Sequence, residues 1–304
     1  MNKQEIIDKI NKLKKEKNAV VLAHCYQNVE IDEVADYVGD SLYLSQMAAK
    51  TDADIIVFAG VYFMAETAKM LSPNKKVLLP RMEAGCLMAD MIDAKQAREF
   101  KEKNPGIPLV CYVNSTAEVK AECDICCTSS NAINVVKSLN TDKVLFAPDT
   151  YLGSFVESKL DGVEVIKYPG FCPTHLRITV EDIENMKKLH PAALVLTHPE
   201  CHKEVVSISD YVGSTSGIMN YAKQSDAKEF IIVTELGVVE RLERDLKDKK
   251  FYLVSEKAVC SNMKWHYLED ILNALEKEQH EIFVDEEIAQ KALHTIEKMI
   301  AING

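Results

Sequence analysis

The stretch AVVLAHCY at residues 19–26 decides the fold, because its pattern returns as IPLVCYVN at 107–114 and as ALVLTHPE at 193–200. Each stretch is a short apolar run that ends in polar or aromatic residues, which is typical of a buried parallel strand and the positions past its carboxyl end. Two further apolar runs follow in each unit and predict a second and a third strand. The predicted second strands of the three units are IIVFAG, KVLFAP and FIIVTE. Repetition at a nearly constant interval indicates three copies of one structural unit.

Later landmarks keep the same register through the three units. The triplets GDS, CTS and GST end at Ser41, Ser129 and Thr215, and each unit closes on a cysteine, at Cys86, Cys172 and Cys260. We therefore predict an α/β fold of three homologous small doubly wound parallel-sheet domains around a pseudo-threefold axis. The predicted boundaries are 1–86, 87–172 and 173–260, with C-terminal helices at 261–304 that pack back on the body.

Composition and charge exclude several classes of protein. The chain has 304 residues, of which 47% are hydrophobic, and a formal net charge of -11 at pH 7. Binders of nucleic acids and of anionic membranes need a basic face, so neither is expected as a partner. The charged first 18 residues contain no apolar signal core, and no run is long enough to span a membrane, so we expect a cytoplasmic protein.

The polar residues past the strand ends indicate a binding site. In open parallel sheets, ligands bind beyond the carboxyl ends of the strands. The hydroxyls of Ser41, Ser129 and Thr215 occupy turns before predicted helices, where helix N-caps and their free N–H groups can hold an anion. These motifs contain no lysine or arginine, so a phosphate or carboxylate would be held by N–H groups, hydroxyls and imidazoles.

Nine cysteines in a chain without a secretion signal favour thiol or metal chemistry over a disulfide scaffold. Thiols at equivalent positions in three units converge if the units surround one axis. Cys86, Cys172 and Cys260 would then suit either a catalytic zinc ion or a [4Fe–4S] cluster with one open iron. The C-x-x-C-C run of Cys123, Cys126 and Cys127 is a rival cluster, whereas Cys25, Cys111 and Cys201 are interpreted as packing residues.

Ten motifs together resemble the quinolinate synthase family, in order and over nearly the whole chain. They are AHCYQ, VGDSL, FMAE, the lone Cys86, YVNST, CTSSNA, GFCPTH, VLTHPEC, YVGST and AVCSNMK. The resemblance implies one [4Fe–4S] cluster per chain, with three cysteine ligands and one open iron. It also implies condensation of iminoaspartate with dihydroxyacetone phosphate to quinolinate, with loss of phosphate and two waters, in the de novo biosynthesis of NAD.

The resemblance also assigns residues. The cluster ligands fall on Cys86, Cys172 and Cys260, and the catalytic tyrosine falls on Tyr26. For proton transfer, the best candidates are Glu200 and Tyr26, assisted by His198 and His24. The substrate-binding positions are His24, Ser41, Tyr112, Val113, Asn114, Ser129, His198, Pro199, Glu200 and Thr215. His175 matches a further family position near the site. Cys25 stands where the family more often has a polar or aromatic residue. Some members have an additional C-x-x-C pair near the last cluster ligand, and no such pair follows Cys260 here.

Two other functions use the same cysteines. A non-enzymatic iron–sulfur redox sensor would need only the three ligands, but such proteins usually carry a recognition module, and the sequence has none that we recognise. A zinc hydrolase is a third hypothesis. The family resemblance makes small molecules the expected partners, together with a possible transient contact with the enzyme that produces iminoaspartate.

Overall fold

The computed structural model describes residues 1–303 and contains three four-stranded sheets, all of them parallel. In the first sheet the order is β2-β1-β3-β4, formed by β1 (Ala19–His24), β2 (Tyr37–Gly39), β3 (Ile55–Ala59) and β4 (Lys76–Leu78). The second has the order β6-β5-β7-β8, formed by β5 (Leu109–Tyr112), β6 (Ile125–Cys127), β7 (Lys143–Ala147) and β8 (Glu164–Lys167). The third has the order β10-β9-β11-β12, formed by β9 (Leu194–Thr197), β10 (Tyr211–Val212), β11 (Glu229–Val233) and β12 (Lys250–Leu253).

The α/β prediction with three doubly wound parallel sheets is confirmed, and the strand count per sheet is corrected from three to four. The missed strand is the short edge strand that precedes each of the turns at Ser41, Ser129 and Thr215. These strands are two or three residues long and two of them are only half-buried. Such segments have no apolar run long enough to predict a strand.

Helices cover the sheets and connect the parallel strands, as crossover connections require. Their bounds are α1 (Lys3–Glu16), α2 (Ser41–Lys50), α3 (Tyr62–Leu71), α4 (Ala94–Glu102), α5 (Ala117–Ala121), α6 (Ala132–Ser138), α7 (Thr150–Ser158), α8 (Pro173–Leu176), α9 (Val180–Leu189), α10 (Lys203–Ser207), α11 (Thr215–Gln224), α12 (Leu236–Asp245), α13 (Leu268–Lys277) and α14 (Glu286–Ile300). Three short 3₁₀ helices lie at Val29–Glu33, Ala89–Met91 and Ser261–Lys264. Within residues 1–303, no helix combines the length and apolar character needed to cross a membrane.

The last two helices return to earlier parts of the chain. Helix α13 packs against α1 beside the first sheet, and α14 packs against α3, α5 and β6. Side-chain contacts fix α14: Thr295 Oγ1 lies 3.1 Å from Cys126 Sγ, and Asn131 Nδ2 donates to the carbonyl of Met299 at 2.9 Å. The C-terminal segment therefore ties the first two sheets together. The domain boundaries themselves stay a prediction.

A buried carboxyl lies where the first two repeats meet. Glu66 on α3 is 4% exposed and accepts a hydrogen bond from the backbone N–H of Ala117 at 3.2 Å. Burial raises the pKa of this carboxyl to about 7, although the positive charge of the buried Lys120 opposes the shift. Glu66 is therefore close to half-ionised at neutral pH, an unusual state for a buried residue.

Candidate active site

One cavity receives the carboxyl ends of strands from all three sheets. Most of the residues predicted for the site line it: His24, Tyr26, Ser41, Cys86, Tyr112, Asn114, Ser129, Cys172, His198, Glu200, Thr215 and Cys260. Val113 and Pro199 are buried, but they are not among the residues that line this cavity. The doubly wound topology explains the convergence, because parallel strands end at the same edge of each sheet.

Two histidines are held in matching ways by their own loops. His24 ends β1, and its Nδ1 accepts the backbone N–H of Tyr26 at 3.1 Å. His198 follows β9, and its Nδ1 accepts the N–H of Glu200 at 3.3 Å. Their Nε2 atoms are therefore left for other partners, and that of His198 lies 3.2 Å from Ser129 Oγ. Burial lowers the pKa of His24 to about 4 and that of His198 to about 3, so both rings are neutral at pH 7.

A continuous chain of close polar contacts crosses the cavity wall, in which His175 Nδ1 is also 3.2 Å from Cys172 Sγ. The Tyr112 hydroxyl donates to Glu200 Oε1 at 2.6 Å, and Glu200 Oε2 lies 2.7 Å from His175 Nδ1. His175 Nε2 is 2.9 Å from Thr234 Oγ1, which is itself 2.9 Å from the Tyr26 hydroxyl. We call Tyr112, Glu200, His175, Thr234 and Tyr26 the relay. Each of its side chains is at most 9% exposed, so bulk water competes little for these bonds.

The relay extends the predicted site in two ways. Thr234 was not predicted, and His175 was included only through the family resemblance. Thr234 follows β11, so the strand-end rule that selected His24 and His198 would have found it if applied to the second strand of each unit. His175 lies in the short helix after Cys172 and has no strand-end signal.

The protonation states in the relay follow from burial and hydrogen bonding. Burial opposes ionisation of Glu200, but His175, His198 and the Tyr112 hydroxyl outweigh it, so the pKa of this carboxyl lies below its ordinary value. Burial, reinforced by the charge of Glu200, raises the pKa of both Tyr26 and Tyr112 well above 10. The site therefore combines one proton acceptor, the ionised carboxylate of Glu200, with two proton donors, the phenols of Tyr26 and Tyr112.

In the first and third units the helix N-cap lies one residue before the hydroxyl that the sequence selected, whereas in the second unit the N-cap is Asn131, two residues after Ser129. Asp40 caps α2 by accepting the N–H of Tyr43, and Ser214 caps α11 by accepting that of Gly217. Each GDS or GST triplet contains two residues suited to capping, and the pattern alone does not tell which one caps. Ser41 and Thr215 are therefore free of the capping role. Thr215 Oγ1 instead lies 3.0 Å from the Tyr26 hydroxyl.

Two further features of the cavity suit a polar ligand. The buried Oδ1 of Asn114 has no hydrogen-bond partner within residues 1–303, which is costly unless a ligand or water provides one. Arg177, an exposed residue that the sequence analysis did not select, also lines the cavity and gives it a cation. Among the residues that the structure describes, no ion pair engages this guanidinium, so its charge is available to an anion.

Three thiols, one from each predicted repeat, line the same cavity. Cys86, Cys172 and Cys260 are half-buried and are not joined by disulfides. Burial raises the pKa of all three thiols, that of Cys86 to about 12. Cys172 also belongs to a tight group with His175 and Glu200, in which the possible ligand atoms all lie within 4.8 Å of one another. The cavity therefore contains donors that could hold metal.

The rival cysteine run lies elsewhere. Cys123, Cys126 and Cys127 are buried in the second repeat and are not among the residues lining the cavity. Cys126 pairs in register with Cys111 of the neighbouring strand, and its thiol faces α14. These thiols therefore pack inside the second repeat, away from the residues that line the cavity.

Comparison with known proteins gives a consistent result. A family model described as "Quinolinate synthetase A protein" matches residues 8–301. The chain is 56% identical to a quinolinate synthase of Alkaliphilus metalliredigens over 99% of its length and 100% of the relative's. It is 53% identical to a quinolinate synthase of Dehalococcoides mccartyi, with the same coverage. It is 51% identical to quinolinate synthase 2 of Methanosarcina acetivorans, over 100% of this chain and 98% of that one.

Proposed function

This chain belongs to the quinolinate synthetase A family and is an enzyme of NAD biosynthesis, a quinolinate synthase, and we propose that the relay cavity is where iminoaspartate and dihydroxyacetone phosphate condense. One observation carries the proposal: four of the five relay residues, Tyr26, Tyr112, His175 and Glu200, line the same cavity as the three thiols, and Thr234 joins His175 to Tyr26 behind its wall. A non-enzymatic sensor would have no need of such a relay. The relatives, which are all named as synthases, also do not favour that alternative.

The donor set fits a [4Fe–4S] cluster better than a single zinc ion. Four ligands on one tetrahedral zinc, each at about 2.3 Å, lie only about 3.8 Å apart. Within the described residues, Cys86, Cys172 and Cys260 do not form a group whose sulfur atoms are all within 4.8 Å. A cubane with three cysteine-ligated irons accepts more widely separated thiolates. The three cysteines would hold the cluster, which when bound supplies a Lewis-acidic iron to the cavity.

Substrate binding uses neutral donors together with one cation. The helix N-termini behind Ser41 and Thr215 direct partial positive charge at the cavity, where carboxylates and phosphate are stabilised. Neutral His24 and His198 accept backbone N–H groups at Nδ1 and therefore carry their proton on Nε2, from which each can donate a hydrogen bond to a carboxylate or phosphate oxygen. Arg177 attracts the phosphate of the triose, and Asn114 completes the hydrogen bonds of a carboxylate or hydroxyl.

The relay gives each dehydration an acid and a base. The condensation must lose two waters, so protons leave carbon or nitrogen while hydroxyl groups depart. Ionised Glu200 accepts the proton that leaves the substrate, and the Tyr26 phenol protonates the departing hydroxyl. Tyr26 then recovers a proton from Thr234, and Thr234 recovers one from Nε2 of His175 after the imidazole proton has moved from Nδ1 to Nε2. The proton held by Glu200 returns to Nδ1 of His175, because one nitrogen of this ring faces Glu200 and the other faces Thr234, and the relay is back in its starting state.

The surroundings of the reaction are also part of the proposal. Imines hydrolyse in water, so iminoaspartate would be used soon after it forms, which favours a cytoplasmic location and a transient contact with the enzyme that produces it. The walls of the cavity support the same chemistry, since Tyr26, Glu200 and His198 are nearly inaccessible to bulk solvent.

Anaerobically purified protein tests the proposal directly. A [4Fe–4S] protein is brown, with broad absorbance at about 400 nm, whereas a zinc protein is colourless. The brown protein should form quinolinate from the two substrates. Glu200→Gln should keep the iron, the sulfide and the colour while turnover falls by about 10²–10⁴-fold. A colourless protein, or a Glu200→Gln variant with normal turnover, would refute the assignment of this cavity.

A further inference from the structure

We propose that Arg241 is a positioning residue, which holds the segment Cys25–Gln27 against helix α12 and thereby sets the place of the Tyr26 hydroxyl in the relay. The inference rests on the role proposed above for Tyr26. Arg241 does not line the cavity, and nothing in the sequence pattern marks it as a site residue. It is nevertheless 1% exposed, and it is among the largest fully buried side chains of the protein.

The contacts of Arg241 surround the backbone of Tyr26. Its Nη1 donates to the carbonyl of Cys25 at 2.8 Å and to that of Gln27 at 3.1 Å, the residues immediately before and after Tyr26. Its Nη2 donates to Asp32 Oδ1 at 2.5 Å. The side chain belongs to the third repeat and every one of these acceptors to the first, so Arg241 fixes one repeat to the other at this segment.

Tyr26 is held to the third repeat at its other end as well. Its hydroxyl lies 3.0 Å from Thr215 Oγ1 and 2.9 Å from Thr234 Oγ1. Thr234 stands three residues before Gly237 on the segment that continues into α12. The backbone of Tyr26 and its hydroxyl are therefore attached to the same structural unit. A change in the Arg241 contacts would therefore alter the distance between the phenol and Thr234.

The helix approaches this segment too closely for any side chain larger than glycine at position 237. A Cβ on Gly237 would lie 2.5 Å from the Cys25 carbonyl oxygen and 3.0 Å from Tyr26 Cα. Contacts this short force the backbone to move. Gly237 thus brings α12 against the Cys25–Tyr26 peptide from one side, while Arg241 binds its carbonyls. The two residues act on the same segment by independent means.

Lysine is the discriminating replacement for Arg241. It keeps the charge near Asp32, but a single ammonium cannot reproduce a planar fork that binds two carbonyls and a carboxylate together. A displacement of about 1 Å in a catalytic group can cost about 10²-fold in rate. We expect Arg241→Lys to lower kcat by about 10–100-fold, to change both Michaelis constants less than about threefold, and to leave iron and sulfide content unchanged.

Arg244 offers the matched control. It binds the other oxygen of Asp32, with Nη1 2.6 Å from Oδ2, yet its side chain is 46% exposed and makes no bond to Cys25 or Gln27. Arg244→Lys should leave kcat within about twofold of the wild type, because an exposed ion pair contributes little. An equal fall of kcat in both variants would mean that turnover depends on the ion pair with Asp32 and not on the contacts with the Cys25 and Gln27 carbonyls. That result would overturn the inference.

A double-mutant cycle separates positioning from general stability. If Arg241 acts through Tyr26, then Arg241→Lys should cost less than about threefold in the Tyr26→Phe background, where no phenol is left to position. Full additivity of the two losses would overturn the inference. If Arg241→Lys does not fold, Arg241→Gln takes its place in the same cycle, and the same coupling with Tyr26 is expected.

The outcomes also distinguish this inference from the proposed function. A Tyr26→Phe enzyme with normal kcat would refute the relay and leave Arg241 nothing to act through. A strongly impaired Tyr26→Phe enzyme together with a normal, folded Arg241→Lys enzyme would refute the positioning role alone. Impairment of both, with coupling between them, supports the inference.

Discussion

Replacing Thr234 by valine removes one hydroxyl from the middle of the relay and keeps nearly the same shape. Thr234 is fully buried, and its Oγ1 lies 2.9 Å from both the Tyr26 hydroxyl and His175 Nε2. Tyr26 keeps its bond to Thr215, but His175 Nε2 loses its partner. An unsatisfied buried polar group costs about 1–3 kcal/mol, so the free energy of unfolding should fall by that amount.

The kinetic effect should be larger than the effect on stability. Loss of positioned proton transfer costs about 10²–10⁴-fold, and we expect the lower end for kcat because Tyr26 remains anchored by Thr215. The Michaelis constants should change less than about threefold, since Thr234 is not among the residues lining the cavity. Quinolinate formation would be measured anaerobically with iminoaspartate generated in situ from oxaloacetate and ammonium, and the cluster content would be measured in the same sample.

Thr197→Val is the matched control for this substitution. Thr197 is also fully buried in the third repeat, and its hydroxyl is bonded to Ser209 Oγ at 2.6 Å, outside the cavity lining. It should lose stability to a similar extent and retain its kcat. The relay is refuted if Thr234→Val, with its cluster intact, turns over within about threefold of the wild type, or if both valine variants lose kcat equally.

The remaining predictions concern charge, pH and metal. Arg177→Ala should raise the Michaelis constant for the triose phosphate about three- to tenfold at low ionic strength. The difference from the wild type should shrink in added salt, because salt screens the charge at this exposed position. A difference that is independent of salt would contradict this role. The pKa of Glu66 is raised from 4.5 to about 7 by folding. Between these pH values the folded state keeps a proton that the unfolded chain has released. The stability that this proton provides is therefore lost as the pH rises towards and through about 7. Glu66→Gln should abolish about 2–3 kcal/mol of this loss between pH 5 and pH 8, measured by denaturant unfolding, whereas Glu118→Gln, at an exposed neighbour, should not. Equal curves for Glu66→Gln and the wild type would disprove it. Cys172→Ser should abolish a stable four-iron cluster while Cys126→Ser retains it, and the reverse result in iron and sulfide assays would promote the C-x-x-C-C run.

The fold was predictable because the repeats preserve their apolar strands. A central parallel strand is buried on both faces, so its sequence must be a nearly continuous apolar run such as VVLAH. This requirement does not depend on which strands lie beside it. The edge strands were not predictable for the same physical reason. Tyr211–Val212 pairs with β9 on one side only and is half-buried, so its two residues carry no apolar pattern.

The candidate site was predicted at the level of positions but not of contacts. The strand-end rule found His24, His198 and Glu200, because their location depends only on where a strand stops. It could not find the relay, since Thr234 and His175 are 59 residues apart in sequence and meet through the packing of the third repeat. Arg241 is a stronger case: besides the carbonyl of Gly237 in its own helix, it binds Cys25, Gln27 and Asp32, which lie 209 to 216 residues away in another repeat. No local pattern encodes such a contact.

The central claim is that one thiol from each repeat holds a cluster that faces the substrate cavity. The most direct test is the Mössbauer spectrum of the ⁵⁷Fe-enriched enzyme with and without bound quinolinate. The account predicts four irons per chain, of which one changes its isomer shift and quadrupole splitting when quinolinate binds, because only three have cysteine ligands. A spectrum that stays unchanged at saturating quinolinate would contradict the account, since every iron would then be fully ligated and closed to the cavity.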